Sequence, residues 1–205
     1  PTNYPVLPRS GNADAYEYVE GIMNAILESP EVNHRSKFDW ELTLINAPVL
    51  NAFAAPAGKL YFYTGFLKYA ESEAELAGVM AHEIAHSDRR HSTEAMTKQN
   101  GIAFLLSIVA GESAGNLAKL ARSIAETGAA LQFSRKHEYE ADEYSVRYLN
   151  SIRNHKQYEP TAILDFFNRM QRNSLSEPSG RFEFLRTHPY DNNRKENVEK
   201  VWKDI

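Results

Sequence analysis

A mostly helical α+β domain, with a small β-sheet laid against one central helix, is what this sequence predicts. Three observations lead there. Helical patterns dominate the second half, at about 91–109, 115–150, 160–174 and 191–204. Three strand-like runs crowd into the first half, at Phe38–Ile45, Val49–Ala55 and Lys59–Thr64. Between them a capped helix carries two histidines four residues apart. A chain of 205 residues is long enough for one buried core, so a single domain over 1–205 is the simplest partition, with 1–11 as an extended N-terminal segment.

Each element has its own signal. Residues 12–29 set Val19, Ile22, Met23, Ile26 and Leu27 on one helix face, and Pro30 ends the run. Phe38–Ile45 alternates as a strand, and Pro56 and Gly58 make the turn between the next two strands. A mixed or antiparallel sheet packed on the following helix is the economical arrangement, with an edge strand flanking that helix. Ser72 and Glu75 form a capping box, and Leu76, Val79, Met80 and Ile84 follow at helical spacing. Gly101–Ala110 is the one strongly apolar run, read as a core or lid helix, and it falls far short of the roughly 20 residues that span a bilayer. Gly111 and Gly115 interrupt the helical pattern after it. Phe133–Leu149 has neither Pro nor Gly and reads as helix. Residues 175–187, with Pro178 and Gly180, form a polar loop, Pro189 favours an extended His188, and Asp191 caps the last helix.

Composition narrows the function. A net charge of −4 gives no electrostatic reason to expect nucleic acid or anionic membrane, and no cysteine is present to form a disulfide or a thiolate metal site. The first ten residues, PTNYPVLPRS, lack the charged start and apolar core of a targeting signal and read as a mature or trimmed end.

The chemistry lies in Ala81-His82-Glu83-Ile84-Ala85-His86. Histidines four apart share one face of a helix, their Cβ atoms roughly 5–6 Å apart. Both imidazoles can then reach one zinc ion at about 2.0–2.1 Å. Glu83, one step round the helix, is set beside the metal, where its carboxylate can take a proton from water. A third ligand must come from elsewhere. The metzincin extension fails, since Ser92 and Arg89 stand where its His and Gly belong. His91 is one residue out of register and reads as a solvated side chain on a helix running on past Arg89 and Arg90. The other extension is a later carboxylate. Glu138 and Asp142 lie four apart on one helix face, suited to a metal ligand and a group that hydrogen-bonds a ligand histidine. Glu140 and Glu143 point elsewhere and read as solvated charges. His137 competes as a ligand, but sits about 100° round the helix from Glu138.

These motifs, preceded by Ser72-Glu73-Ala74-Glu75-Leu76-Ala77 and followed by Phe133-Ser134-Arg135, Asn51-Ala52-Phe53-Ala54 with Pro56 and Gly58, and Thr187-His188-Pro189 with Arg194, resemble the HtpX, Oma and CaaX-prenyl-protease family of gluzincin peptidases. The likeness runs from about Phe38 to Arg194 and is to the soluble, BepA-like bacterial branch. It implies a zincin-like fold, one zinc ion per chain held by His82, His86 and Glu138, Glu83 as general base, and Asp142 orienting a histidine. It implies that Asn51, Ala52, Phe53 and Ala54 form a strand on the cleft rim that pairs with substrate backbone. Phe53 itself is open between substrate and core, while Tyr61-Phe62-Tyr63 reads as strand packing. His188 would steady the oxyanion or block the metal in a latent form, and Arg194 would support it or meet substrate. Ala57 and Ser145 stand where the family often has Gly.

The expected function is zinc-dependent hydrolysis of peptide bonds in unfolded or misassembled proteins. By resemblance the place is the periplasm or cell envelope, with a membrane-associated protein partner left open. The competing reading is a latent or non-catalytic, chaperone-like zinc module. A membrane-embedded prenyl-protein protease is disfavoured, because the sequence contains no spanning segment.

Overall fold

A computed structural model describes residues 4–100, 133–176 and 181–205. The Gly101–Ala110 run, the Gly111 and Gly115 breaks and the Pro178–Gly180 loop lie outside the described residues.

Helix α1 (Ala13–Leu27) buries Tyr16, Val19, Ile22, Met23, Ile26 and Leu27, the face the sequence marks. Strands β1 (Glu41–Ile45), β2 (Ala52–Ala55) and β3 (Lys59–Tyr63) make a mixed sheet in the order β1-β3-β2. β1 runs parallel to β3 and β2 antiparallel to it. The N-terminal segment lies along the other side of β1, with Leu7 N–H donating to Leu44 O at 2.8 Å.

The β2–β3 turn is tight because Ala57 (φ 62°) and Gly58 (φ 84°) are both left-handed. A Cβ on Gly58 would sit 2.9 Å from the Trp40 ring, so only glycine fits. Ala57 accepts a conformation that glycine takes without strain, which is the physical sense of the sequence departure there. The Gly58 N–H donates to Ser87 Oγ at 2.9 Å, tying the turn to the central helix.

After the short α2 (Thr64–Tyr69) comes that helix, α3 (Glu73–Asp88). Ser72 Oγ accepts from Glu75 N–H at 3.1 Å, half of the expected capping box. The Glu75 carboxylate reaches back one residue further than that motif requires, to Glu71 N–H at 2.8 Å, and also pairs with Arg169. Every residue from Glu75 to Asp88 is buried. Such a helix must be covered on all sides. The sheet covers one side, α1 another, and α5 (Arg135–Ser151) and α6 (Ala162–Ser174) the rest. Gly78 permits the approach of α6, since a Cβ there would lie 3.0 Å from Ile163 Cβ.

The sequence-predicted helix past Arg89 breaks. Arg89 caps α3, Arg90 turns left-handed (φ 66°), and α4 (His91–Asn100) begins in a new direction. Two short helices are additions to the sequence reading: α2 begins at Thr64, where the expected strand ends, and α7 (Glu183–Thr187) lies in the expected polar loop. The last helix, α8 (Asn192–Asp204), starts where Asp191 Oδ1 accepts from Arg194 N–H at 3.0 Å. No helix among the described residues is long and apolar enough to cross a membrane.

Candidate active site

Four elements deliver side chains to one point. α3 supplies His82, Glu83 and His86, α5 supplies Glu138 and Asp142, the end of α7 supplies His188, and α8 supplies Arg194. All seven are 2% exposed or less. Capping sets the phase of α5, because Ser134 Oγ accepts from His137 N–H at 3.2 Å and so turns Glu138 and Asp142 inward together.

Donor atoms of His82, His86, Glu138 and His188 all lie within 4.8 Å of one another. His82 Nε2 is 3.0 Å from His86 Nε2 and 3.4 Å from His188 Nδ1. Glu138 Oε1 is 3.1 Å from His188 Nδ1 and 3.6 Å from His86 Nε2, and its Oε2 is 3.5 Å from His82 Nε2. Four ligands held tetrahedrally at zinc-like bond lengths of about 2.0–2.1 Å must stand roughly 3.3 Å apart. The donor set therefore has the size of a tetrahedral metal site.

Charge points the same way. Glu83, Glu138 and Asp142 are three buried carboxylates, and Arg194 is the one guanidinium among them. With the histidines neutral, as they must be to ligate a metal, the deficit of two positive charges, or one if Glu83 is protonated, suits a divalent cation. Burial alone would push the His82 imidazole down, yet Asp142 and Glu138 hold it up at about 9. These carboxylates thus favour positive charge where His82 Nε2 points. Burial and the neighbouring His82 push His86 well below the usual histidine range.

The supports are specific. His82 Nδ1 is 3.0 Å from Asp142 Oδ1, which fixes the ring with Nε2 towards the cluster. Arg194 clamps Asp142 through two 2.7 Å bonds, reaches Glu138 Oε2 at 2.7 Å, and donates to the backbone oxygens of His188 and Pro189. Burial would raise the Asp142 carboxyl, but Arg194 holds it below the ordinary range. Of the two sequence expectations for Arg194, its position suits support of the site. Ser145, in a glycine-like position, is wholly buried and bonds Asp142 O at 2.8 Å.

Glu83 has no hydrogen-bond partner among the described residues, and His188 Nε2 is its near neighbour at 3.4 Å. Burial raises its pKa, and the histidines beside it pull the other way. That suits a proton acceptor whose partner is a reacting molecule.

β2 lies at the sheet edge beside α3, as expected, but all four of its residues are buried. Phe53 stacks on Tyr61 at 4.6 Å, a packing contact. Asn51 O accepts from Tyr63 N–H, so by strand alternation Ala52 and Ala54 turn their backbone outward. The Ala54 carbonyl is taken by Ser92 Oγ at 2.7 Å. The apolar wall over the site is Phe133, stacked on His86 at 3.8 Å. A cavity of about 180 Å³ opens beside it, between Phe133, Tyr139, Pro189 and the Glu138 side chain.

Two sequence expectations change, those for His91 and Glu140. His91 is not solvated: it is 2% exposed, and its Nδ1 lies 3.1 Å from His86 Nδ1. Burial and the neighbouring His137 push it down to about 4. Glu140 is held by Arg89 at 2.9 Å and faces His91 at 3.4 Å, rather than standing free. Glu143 pairs with Arg147 at 2.9 Å. His137 is no ligand here, but stacks on His91 and meets Glu94. Sequence reasoning also missed Asp88, which accepts from the backbone of Asn33 and His34 and from Tyr148 Oη, pinning α3 to α5. No periodicity marks such a residue, because its partners lie 54 to 60 positions away.

Comparison with known proteins agrees with this geometry. The profile described as Peptidase family M48 matches residues 14–201. Mitochondrial metalloendopeptidase OMA1 of Arabidopsis thaliana is 32% identical over 157 residues, 77% of this chain and 30% of the relative. The protein of the same name from Schizosaccharomyces pombe is 30% identical over 183 residues, 89% of this chain and 52% of the relative. The Escherichia coli beta-barrel assembly-enhancing protease is 30% identical over 170 residues, 77% of this chain and 33% of the relative. The chain thus spans between about a third and a half of the length of these relatives. A metal-sized donor cluster on an HExxH helix, and a profile match over nearly all of the chain, place this protein in peptidase family M48.

Proposed function

We propose that this chain is a zinc-dependent metalloendopeptidase that cleaves unfolded or misassembled proteins, with His82, His86 and Glu138 as zinc ligands. The observation that carries the reading is the buried donor set of tetrahedral size with a partnerless carboxylate, Glu83, beside it. Zinc bound there would act as a Lewis acid on water and on the scissile carbonyl. Glu83 takes the proton as water attacks and returns it to the leaving amine. Asp142 and Arg194 keep His82 oriented throughout. The outward backbone of Ala52 offers an extended substrate a pairing site that does not depend on side chains.

His188 decides whether the site is open. Its Nδ1 stands among the donor atoms and its Nε2 faces Glu83, so in this arrangement it fills the position that water and substrate need. The latent reading follows: His188 must withdraw before turnover, and can then serve the oxyanion. A relative is named for assisting β-barrel assembly. That name supports a role in protein quality control and a place in the cell envelope, with a membrane-associated partner.

The test is cleavage of casein by the zinc-loaded protein against Glu83→Gln. Glu83→Gln should keep zinc and lose at least about a hundredfold in rate. Equal cleavage by both removes Glu83 as the base. His188→Ala should retain zinc and cleave faster if His188 blocks the site. A loss of about 100- to 1,000-fold instead would mark it as an oxyanion donor.

A further inference from the structure

The peptidase mechanism leaves His91 unused, although it is buried against a zinc ligand. Its Nδ1 faces Nδ1 of His86 at 3.1 Å, on the side of that ring turned away from the donor cluster. Two imidazole nitrogens at this distance share one proton, so one donates and the other accepts. The next contact decides the direction. His91 Nε2 faces Glu140 Oε2 at 3.4 Å, an ion-pair distance, and Arg89 holds the other oxygen of Glu140 at 2.9 Å. The contact is electrostatic and not a hydrogen bond, and the negative charge of Glu140 beside Nε2 of His91 favours the tautomer with the proton there and a bare Nδ1. The Nδ1–H of His86 then donates to His91, and Nε2 of His86 keeps its lone pair for the cluster.

The backbone is bent to make this contact. Residues five apart on a continuous helix point about 140° away from each other. The left-handed Arg90 breaks the helix and brings His91 back over His86, and the parallel ring of His137 stacks on it at 4.5 Å. A neutral acceptor also suits the charge. A second carboxylate in direct contact with the ligands would deepen a negative cluster that Arg194 alone offsets, whereas Glu140 sits one ring further out and is 29% exposed.

We propose that His91 is a positioning residue for zinc: it accepts the Nδ1 proton of His86 and so fixes that ligand's tautomer and orientation, with Glu140 and Arg89 setting the tautomer of His91. The inference rests on the assignment of His86 as a zinc ligand.

Zinc dissociation constants, measured by chelator competition, test it on the wild type, His82→Ala, His91→Phe and His91→Asn. Phe keeps a ring to stack on His137 but offers no acceptor. Asn places Oδ1 where the histidine has Nδ1. His91→Phe should weaken zinc binding about 10- to 100-fold, and His91→Asn should stay within about threefold of wild type. Wild-type affinity in His91→Phe overturns the proposal, as does an equal loss in both variants, which would make His91 a packing residue. Long-range proton–nitrogen spectra of the zinc-loaded wild type give a readout independent of any variant's folding. A proton on Nε2 of His91 and on Nδ1 of His86 supports the proposal, and the reverse assignment overturns it. Zinc binding that His82→Ala leaves unchanged, or no binding by the wild type, overturns the metal-site reading itself. Binding lost in His82→Ala but indifferent to His91→Phe overturns only the role of His91.

Discussion

His82 and His86 leave the same helix towards the same point, yet the molecule supports them in opposite ways. Behind His82 stands Asp142, and behind Asp142 stands Arg194, with each side chain 2% exposed or less. Behind His86 stands His91, and then Glu140 and Arg89, whose side chains are 29% and 25% exposed. The inner support has to balance its charges within the protein, because no water shares them. The outer one hands its charge to solvent, so its ion pair is weak and its work is directional. On the proposed reading, the first side couples metal binding to the stability of the fold, while the second acts on the metal site alone.

Removing the inner guanidinium should have the largest effect. Arg194→Met leaves Asp142 and Glu138 buried without their cation, and unfolding in urea should show a loss of about 3–5 kcal/mol. A loss below about 1 kcal/mol would mean that the inner side is no more coupled to the fold than the outer. Asp142→Asn keeps an acceptor for His82 but breaks the charged clamp, and zinc affinity should fall about 10- to 100-fold in chelator competition. The smallest effect belongs to the outer pair. Arg89→Ala should cost no more than about 1 kcal/mol by the same urea titration, since the Arg89–Glu140 pair is partly solvated. High salt should erase that difference and leave the Arg194→Met defect nearly intact. A salt-sensitive Arg194→Met defect would remove the contrast.

Much of this site can be read along the chain because its key spacings are local. Histidines at 82 and 86 and carboxylates at 138 and 142 share faces at one helical repeat, and Ser72 and Asp191 mark helix starts that the structure uses as caps. The same rule misleads at His91. Continued helical spacing would turn it away from His86, and nothing about Arg89-Arg90 announces a break. Glu140 fails for the same reason: its partners, Arg89 and His91, come from across the fold. Strand ends shift where α2 takes over from β3, since a six-residue helix carries too little periodicity to recognise.

By itself the sequence determined the chemistry available: two histidines and a carboxylate on one helix, a carboxylate pair on another, and a histidine held before a proline. Hydrophobic period and capping act over a few residues, and those interactions are encoded in adjacent letters. Only the tertiary structure decided that His188, 106 residues after His82, joins the donor cluster, that Arg194 is spent on Asp142, and that His91 turns back onto His86. Such contacts arise when whole elements pack around the buried α3. Their distances follow from the shape of the assembled core, which no local pattern contains.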